Sequence, residues 1–267
     1  MLVSSKSVPE SDPRKYLTTV IGDAGVGKTT WASHIEGAYF LMTEMGTQGV
    51  SVRGEPILSW PAFKEKLNEI WQARKDGWKD VEPITSIVVD TYDVLFDMVG
   101  QWVCENEQFV IEGRPTRYTK IDDVPFGKGY ARVSQLLLGV ITRFHLAGFG
   151  VFLLCHSKER VVRWKGQAVM MYGPRLSPSA SEALINASGA VGYFRVEQEV
   201  RKEGDEIVIA NERRVQQWQP TFQVAAKHRL PGFPAELPLT RLEGWQTYCQ
   251  AFKEAYEKEV QSIGTRS

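Results

Sequence analysis

The sequence has few of the features that mark secreted, metal-binding or membrane proteins. Its three cysteines, Cys104, Cys155 and Cys249, are far apart and odd in number. This usage indicates a reducing compartment and gives no metal-binding motif. No apolar run approaches the roughly 18 residues of a membrane span, and the first residues contain no apolar signal-peptide core. We therefore expect a cytoplasmic protein without a membrane partner.

Net charge is also absent, because 32 Lys and Arg residues balance 32 Asp and Glu residues. The chain as a whole has no general attraction for nucleic acid, so any such contact must come from a local patch. The 267 residues are 43% hydrophobic and 24% charged. These values are typical of a globular protein, and the length suits one large α/β domain with a sizeable core.

The most specific pattern in the chain is G-x-x-x-x-G-K-[ST] at residues 22–29. Its glycines let backbone N–H groups turn toward phosphates, Lys28 reaches the β- and γ-phosphates, and the Thr29 hydroxyl ligates Mg²⁺. A β-rich run precedes it, and a short helix follows whose N-terminal dipole favours an anion. We predict an ATP and Mg²⁺ site. Its phosphate-binding residues are Gly22, Asp23, Ala24, Gly25, Val26, Gly27, Lys28, Thr29 and Thr30.

Strand and helix patterns alternate along the chain. Apolar runs predict strands at 16–21, 38–42, 84–90 and 151–155, and strands joined by a hairpin near Gly204 at 190–226. Helical periodicity predicts helices at 30–35, 59–74, 92–104, 130–146, 179–187 and 241–261. Residues 112–129 are expected to form a long loop, and residues 157–178 a basic, irregular segment.

This alternation predicts an α/β fold, with a mainly parallel sheet flanked by helices and antiparallel C-terminal strands. We expect a flexible N-terminal arm at 1–15, an ATPase domain at 16–240, and a C-terminal helix and tail at 241–267.

A second nucleotide motif is the apolar strand that ends in Asp90. A carboxylate at the end of such a strand, about 60 residues after a phosphate loop, is placed to hold Mg²⁺, in part through water. Asp93 is the competing acid, but it lies a helical turn further on. We therefore prefer Asp90 as the acidic Mg²⁺ residue.

Four further segments stand in a suggestive order along the chain. Glu44 follows the second strand, Asp90-Thr91 ends the third, His156 follows the run from Phe152, and Lys227-His228-Arg229 stands near the C-terminus. In this order the set resembles the RecA-type core. It resembles more narrowly the phage-encoded RecA-like ATPases of single-strand annealing and recombination. The similarity spans about residues 16–250.

The resemblance implies roles for two residues near the γ-phosphate. Glu44 occupies the place of a catalytic glutamate that polarises the attacking water, together with Lys28. The alternative is a solvated loop glutamate. His156 matches a γ-phosphate sensor that relays to a DNA-binding loop, which a histidine can do by hydrogen bonding. The alternative is a polar strand-end residue with a structural partner.

The resemblance also implies that Lys227 and Arg229 act in trans, on the γ-phosphate bound by a neighbouring subunit. Residues two apart on a strand point to the same face. Hydrolysis would then require a homo-oligomer, either a ring or a filament. The alternative is an edge strand protected by charge.

A basic run follows His156. Four cations against one acid, with an aromatic side chain among them, suit single-stranded DNA, because cations follow phosphates and rings stack on bases. The predicted DNA-binding residues are Lys158, Arg160, Arg163, Trp164 and Lys165. A solvated hairpin is the alternative. A weaker basic stretch lies at 114–120, and neither stretch has a sequence-reading motif.

These observations favour an oligomeric, Mg²⁺-dependent ATPase that binds single-stranded DNA and supports annealing or recombination for a phage, in the bacterial cytoplasm. A recombination or single-strand-binding protein of the phage is a further expected partner. Two alternatives stay open. One is a small-molecule or nucleotide kinase, with Arg160 and Arg163 in a lid, and the other is a slow nucleotide switch such as a helicase loader.

Overall fold

The computed structural model describes residues 9–44, 46, 49–79, 81–164, 166–203 and 206–265. The strands of this part of the chain are β1 (Leu17–Gly22), β2 (Ala38–Met42), β3 (Gly54–Pro56), β4 (Ser86–Asp90), β5 (Phe109–Ile111), β6 (Arg114–Thr116), β7 (Gly150–Trp164), β8 (Gln167–Pro174), β9 (Ala190–Glu203), β10 (Glu206–Gln217), β11 (Lys227–His228) and β12 (Glu236–Pro238). The helices are α1 (Lys28–Ser33), α2 (Trp60–Lys75), α3 (Tyr92–Asn106), α4 (Lys128–Leu146), α5 (Pro178–Ala187) and α6 (Gly244–Thr265).

The main sheet has the strand order β12-β10-β9-β1-β7-β4-β2-β3, with β11 paired to β9 and β8 paired to β7. Neighbours from β9 to β3 run parallel. The strands β10 and β11 run antiparallel to β9, and β12 runs antiparallel to β10. The predicted α/β class, with a mainly parallel sheet and antiparallel C-terminal strands, is confirmed.

Helices cover both faces of the sheet. Because successive side chains of a strand point to opposite faces, Ile87 and Val89 of β4 pack toward α2, α3, α4 and α5, whereas Val88 packs toward α1 and α6. The second face holds an aromatic cluster in which Trp31 of α1 contacts Trp245 and Tyr248 of α6. The packing holds the short α1, and the loop before it, against the rest of the molecule.

Two regions differ from the sequence prediction. The segment 157–178 is not irregular, because β7 continues past the sheet to Trp164 and pairs with β8 as a hairpin. The expected loop at 112–129 contains β6 and two single-turn 3₁₀ helices. The β9–β10 hairpin is confirmed, although Gly204 lies outside the described residues. Residues 1–8 of the predicted N-terminal arm also lie outside them.

Candidate nucleotide-binding site

The carboxyl ends of the parallel strands gather the predicted nucleotide residues at one edge of the sheet. Gly22 of β1 lies opposite His156 of β7, and Met42 of β2 lies opposite Asp90 of β4. The strand β7 separates β1 from β4, with Leu154 opposite Asp90. His156 therefore extends two residues beyond the level of Asp90, between the strand that leads to the phosphate loop and the strand that bears the acid.

The phosphate loop, residues 22–29, has a backbone that needs glycine. Gly27 has a φ angle of 114°, in a region where a residue with a side chain is strained. A Cβ atom at Gly22 would lie 2.6 Å from the carbonyl oxygen of Phe194. The chain can therefore turn sharply from β1 into α1, which is the geometry that a loop wrapped around phosphates requires.

Lys28 reaches back across this loop from the start of α1. Its Nζ donates to the carbonyl oxygens of Gly22, at 2.8 Å, and Asp23, at 3.0 Å. The residue is 6% exposed. Burial lowers the pKa of Lys28, and the nearby carboxylate of Asp90 opposes that shift. Because the ammonium is bonded to uncharged carbonyls, its charge is placed to pair with phosphate oxygens.

Thr29 and Asp90 meet directly, 61 residues apart in the chain. The Thr29 hydroxyl donates to Asp90 Oδ2 at 2.8 Å. Asp90 is 2% exposed, and burial raises its pKa while the Thr29 bond lowers it. A hydroxyl and a buried carboxylate are hard oxygen donors of the kind that Mg²⁺ prefers. Asp93 has other partners, so Asp90 is the acid that lies against the phosphate loop.

Glu44 is held beside Asp90 by its neighbour Thr43. The Thr43 backbone N–H donates to the Asp90 carbonyl at 2.8 Å, and its hydroxyl bonds both the carbonyl and the N–H of Thr91. A methyl group at Gly46 would lie 3.7 Å from Glu44 Oε1 and 3.9 Å from Asp90 Oδ2. The two carboxylates thus face the same small space, next to the end of β4.

His156 lies between two carboxylates. Its Nε2 is 3.6 Å from Glu44 Oε1, and its Nδ1 is 3.0 Å from Asp93 Oδ2. Asp93 also accepts from Arg175 Nε at 2.7 Å. The Asp93 side chain is fully buried. Burial would raise its pKa, but the bonds from His156 and the charge of Arg175 lower it. Sequence reasoning missed Arg175, which follows β8 and belongs to no motif.

Comparison with known families agrees with this geometry. The sequence model of a family described as "AAA domain" matches residues 14–230 of the chain. The chain belongs to this family. It is therefore an AAA-type P-loop ATPase domain. Comparison with the curated proteins gave no match.

The AAA domain has a cavity on the α1 side of its phosphate loop. The cavity has a volume of about 490 Å³ and is lined by Gly25, Val26, Gly27, Thr30, Arg214, Leu239, Thr240 and Arg241. The guanidinium of Arg214 donates to the carbonyls of Gly25, at 3.2 Å, and Val26, at 3.3 Å. This volume falls in the range of small-molecule sites. Sequence reasoning missed Arg214, because it comes from β10, far along the chain.

Lys227 and Arg229 lie at the other edge of the AAA domain. Lys227 of β11 pairs with Val191, near the amino end of β9, whereas Gly22 pairs with Phe194. Lys227 Nζ donates to the carbonyl of Ile185 at 2.6 Å, and Arg229 donates to that of Asn186 at 3.1 Å. Both cations reach the C-terminal end of α5. Their edge of the sheet is the one opposite the phosphate loop.

The basic run after His156 forms part of the β7–β8 hairpin of the AAA domain. Alternation along β7 puts Lys158 and Arg160 on one face and Arg163 on the other. Lys158 and Arg163 are exposed. Arg160 is half-buried, and its guanidinium donates to the carbonyls of Leu176 and Pro174. Lys165 and the Trp164 side chain lie outside the described part of the chain. The predicted cations therefore do not form one patch.

The described residues hold no cluster of three or more His, Cys, Asp or Glu residues that could bind a metal ion. None of the helices in the same residues has the length and apolar character needed to cross a bilayer.

Proposed function

We propose that this chain is a Mg²⁺-dependent ATPase in which Glu44 polarises the attacking water. The observation that carries the proposal is that Glu44 and Asp90 face one space beside Lys28 and Thr29. Mg²⁺, when bound at Thr29 Oγ1 and near Asp90, would neutralise charge on the phosphates. Glu44 is one-third exposed, so water can reach its carboxylate, and its Oε1 lies 3.6 Å from His156 Nε2.

We place the triphosphate along the phosphate loop, with the γ-phosphate toward Glu44 and His156. The cavity beside Gly27, Arg214 and Arg241 lies in the opposite direction along the loop and has room for the nucleoside. Arg214 already bonds the loop carbonyls, so a bound nucleoside would contact a side chain that also shapes the loop.

The position of Arg229 supports action in trans. Gly22 and Arg229 are about five residues apart along β9, which corresponds to about 16 Å at the usual rise of a strand. Arg229 donates its hydrogen bond at the amino edge of the sheet. It is thus too far from its own phosphate loop to stabilise hydrolysis there. We propose that it serves a neighbouring copy, as trans-acting arginines do in other NTPases.

We further propose that the β7–β8 hairpin contacts single-stranded DNA and that the ATPase supports annealing or recombination. The support is the exposure of Lys158 and Arg163 on a hairpin that continues directly from His156. A nucleotide-dependent shift at His156 would be transmitted along β7 to these cations. The contact is electrostatic and predicts little base specificity.

The experiment that tests the function is a phosphate-release assay with and without single-stranded DNA, with oligomer size measured in parallel. We expect Mg²⁺-dependent release that DNA stimulates, and loss of release in Glu44→Gln with retained ATP binding. Lys28→Ala should lose ATP binding. Transfer of phosphate to a small acceptor would instead support a kinase. Very slow release that DNA does not change would support a nucleotide switch.

A further inference from the structure

Asp93 is a buried carboxylate that the proposed hydrolysis does not use directly. Its Oδ1 accepts from the backbone N–H of His156 at 3.1 Å, and its Oδ2 bonds His156 Nδ1 at 3.0 Å and Arg175 Nε at 2.7 Å. A buried carboxylate with this many partners has a fixed position. Since two of the partners belong to His156, that residue is fixed at both its backbone and its ring.

The contact with Asp93 decides which way the imidazole faces. With Nδ1 on Asp93, a proton on this nitrogen is donated to the carboxylate, and Nε2 is the atom left to face Glu44 Oε1. The partner of one ring nitrogen sets the state and direction of the other. Asp93 therefore controls the group that lies beside the proposed catalytic glutamate.

Arg175 joins this arrangement to the β7–β8 hairpin. Its backbone N–H donates to the His156 carbonyl at 2.8 Å, while its side chain, about half exposed, bonds Asp93. The residues on either side of it, Pro174 and Leu176, offer their carbonyls to the guanidinium of Arg160. Arg160 lies in β7, the first strand of the hairpin. Its hydrogen bonds therefore hold the segment that contains Arg175 against β7.

We propose that Asp93 and Arg175 are positioning residues that hold His156 toward Glu44, and that Arg160 connects them to the hairpin. The proposal rests on the proposed ATPase function and adds the residues that orient its γ-phosphate end. It also gives Arg160 a role within the domain in place of the predicted DNA contact. A misplacement of about 1 Å in such a site can cost about 10²-fold in rate.

The first test compares Asp93→Asn with Asp97→Asn in the full chain. Both changes remove one carboxylate charge from α3, one turn apart, but Asp97 is 77% exposed and lies 4.0 Å from Arg175. We expect Asp93→Asn to lower kcat by about 10- to 100-fold with KM for ATP nearly unchanged, and Asp97→Asn to behave as the wild type. Equal kcat in the two variants, both folded by circular dichroism, would overturn the proposal.

Two further comparisons between arginine variants extend the test. Arg175→Gln should lower kcat, and Arg175→Lys should restore part of it, because a lysine can still donate to Asp93. Arg160→Gln should lower kcat, whereas Arg143→Gln, on the surface of α4, serves as its control. If Arg160→Gln changes only the affinity for single-stranded DNA, the link to the hairpin is wrong.

The last measurement does not depend on activity. In protein labelled with ¹⁵N-histidine, the signal of His156, assigned by its loss in His156→Gln, reports which ring nitrogen carries a proton. We expect a protonated Nδ1. An unprotonated Nδ1 would overturn the inference even if the chain hydrolyses ATP. A protonated Nδ1 in a chain without ATPase activity would leave the arrangement intact and refute the proposed function instead.

Discussion

His228 gives the chain a pH-dependent stability that can be worked out from its surroundings. It lies in β11 between Lys227 and Arg229, its ring stacks on Phe233 with centroids 3.8 Å apart, and its Nε2 is 3.2 Å from the Tyr248 hydroxyl. Burial lowers the pKa of His228 from 6.5 to about 4. The native state therefore resists protonation, whereas the unfolded chain takes up a proton with an ordinary pKa.

The sign and size of the pH effect on the free energy of unfolding follow from proton linkage. Well above pH 6.5 neither state is protonated at this residue, and its contribution to the free energy of unfolding is fully present. As pH falls from 6.5 toward 4, the unfolded state gains the proton first, so the free energy of unfolding decreases. With these two pKa values the loss between pH 7 and pH 5 is about 2 kcal/mol, with a limit of about 3 kcal/mol below pH 4.

The assay is urea unfolding at pH 7, 6 and 5, followed by tryptophan fluorescence, for the wild type and His228→Gln. Glutamine keeps a polar partner for Tyr248 but does not titrate. The difference between the two proteins cancels the contributions of all other groups, so the variant should lose about 2 kcal/mol less than the wild type over this range. Parallel pH profiles would show that His228 is not buried in its neutral form, and the packing described around β11 would be wrong.

Three further predictions concern the site and its assembly. Gly22→Ala should destabilise the chain by about 1–3 kcal/mol and weaken ATP binding, since its Cβ meets the Phe194 backbone. Gly139→Ala, with nothing within 4 Å of its Cβ, should slightly stabilise α4, and thermal denaturation of both variants measures the difference. Mixing Lys28→Ala with Arg229→Ala protein should restore some ATPase activity, and no recovery despite proven mixed oligomers would argue against action in trans. Reversing Lys158 and Arg163 to Glu should weaken single-strand binding and reduce its salt dependence, and an unchanged salt slope would exclude the hairpin as the DNA site.

Most elements of the fold could be predicted from the sequence because their signals are local. The Ser59 side chain accepts from the backbone N–H of Ala62 and begins α2, where the helical periodicity predicted a helix at 59–74. The apolar runs of β2 and β4 gave their positions directly, because strands buried on both faces appear as continuous apolar segments. The β7–β8 hairpin was expected only as the alternative to a DNA-binding loop, because its strands lie outside the core and are rich in charge, so they lack the pattern of a buried strand.

The residues of the site also fall into two groups: those that a local motif predicts, and those that only the fold brings together. Lys28 and Thr29 belong to a motif whose spacing is fixed within one loop. The position of β7 between β1 and β4, by contrast, is a property of strand order, which no local pattern reports. That order is what brings His156 close to both Glu44 and Asp93. Arg175 and Arg214 enter the site from β-hairpins distant in sequence, so only the folded chain identifies them.

The separation of the two functional edges constrains how copies of the chain can combine. The phosphate loop follows the carboxyl end of β1, whereas Arg229 lies beyond the amino end of β9. If Arg229 of one copy serves the nucleotide of the next, the interface joins unlike surfaces, head to tail. Such an interface repeats until it closes into a ring or continues as a filament. In a two-fold dimer every contact occurs twice, so a single interface would have to contain both edges of both copies. In a ring or filament each interface needs only the arginine edge of one copy and the phosphate loop of the next, so we expect hydrolysis in trans to occur in such an assembly.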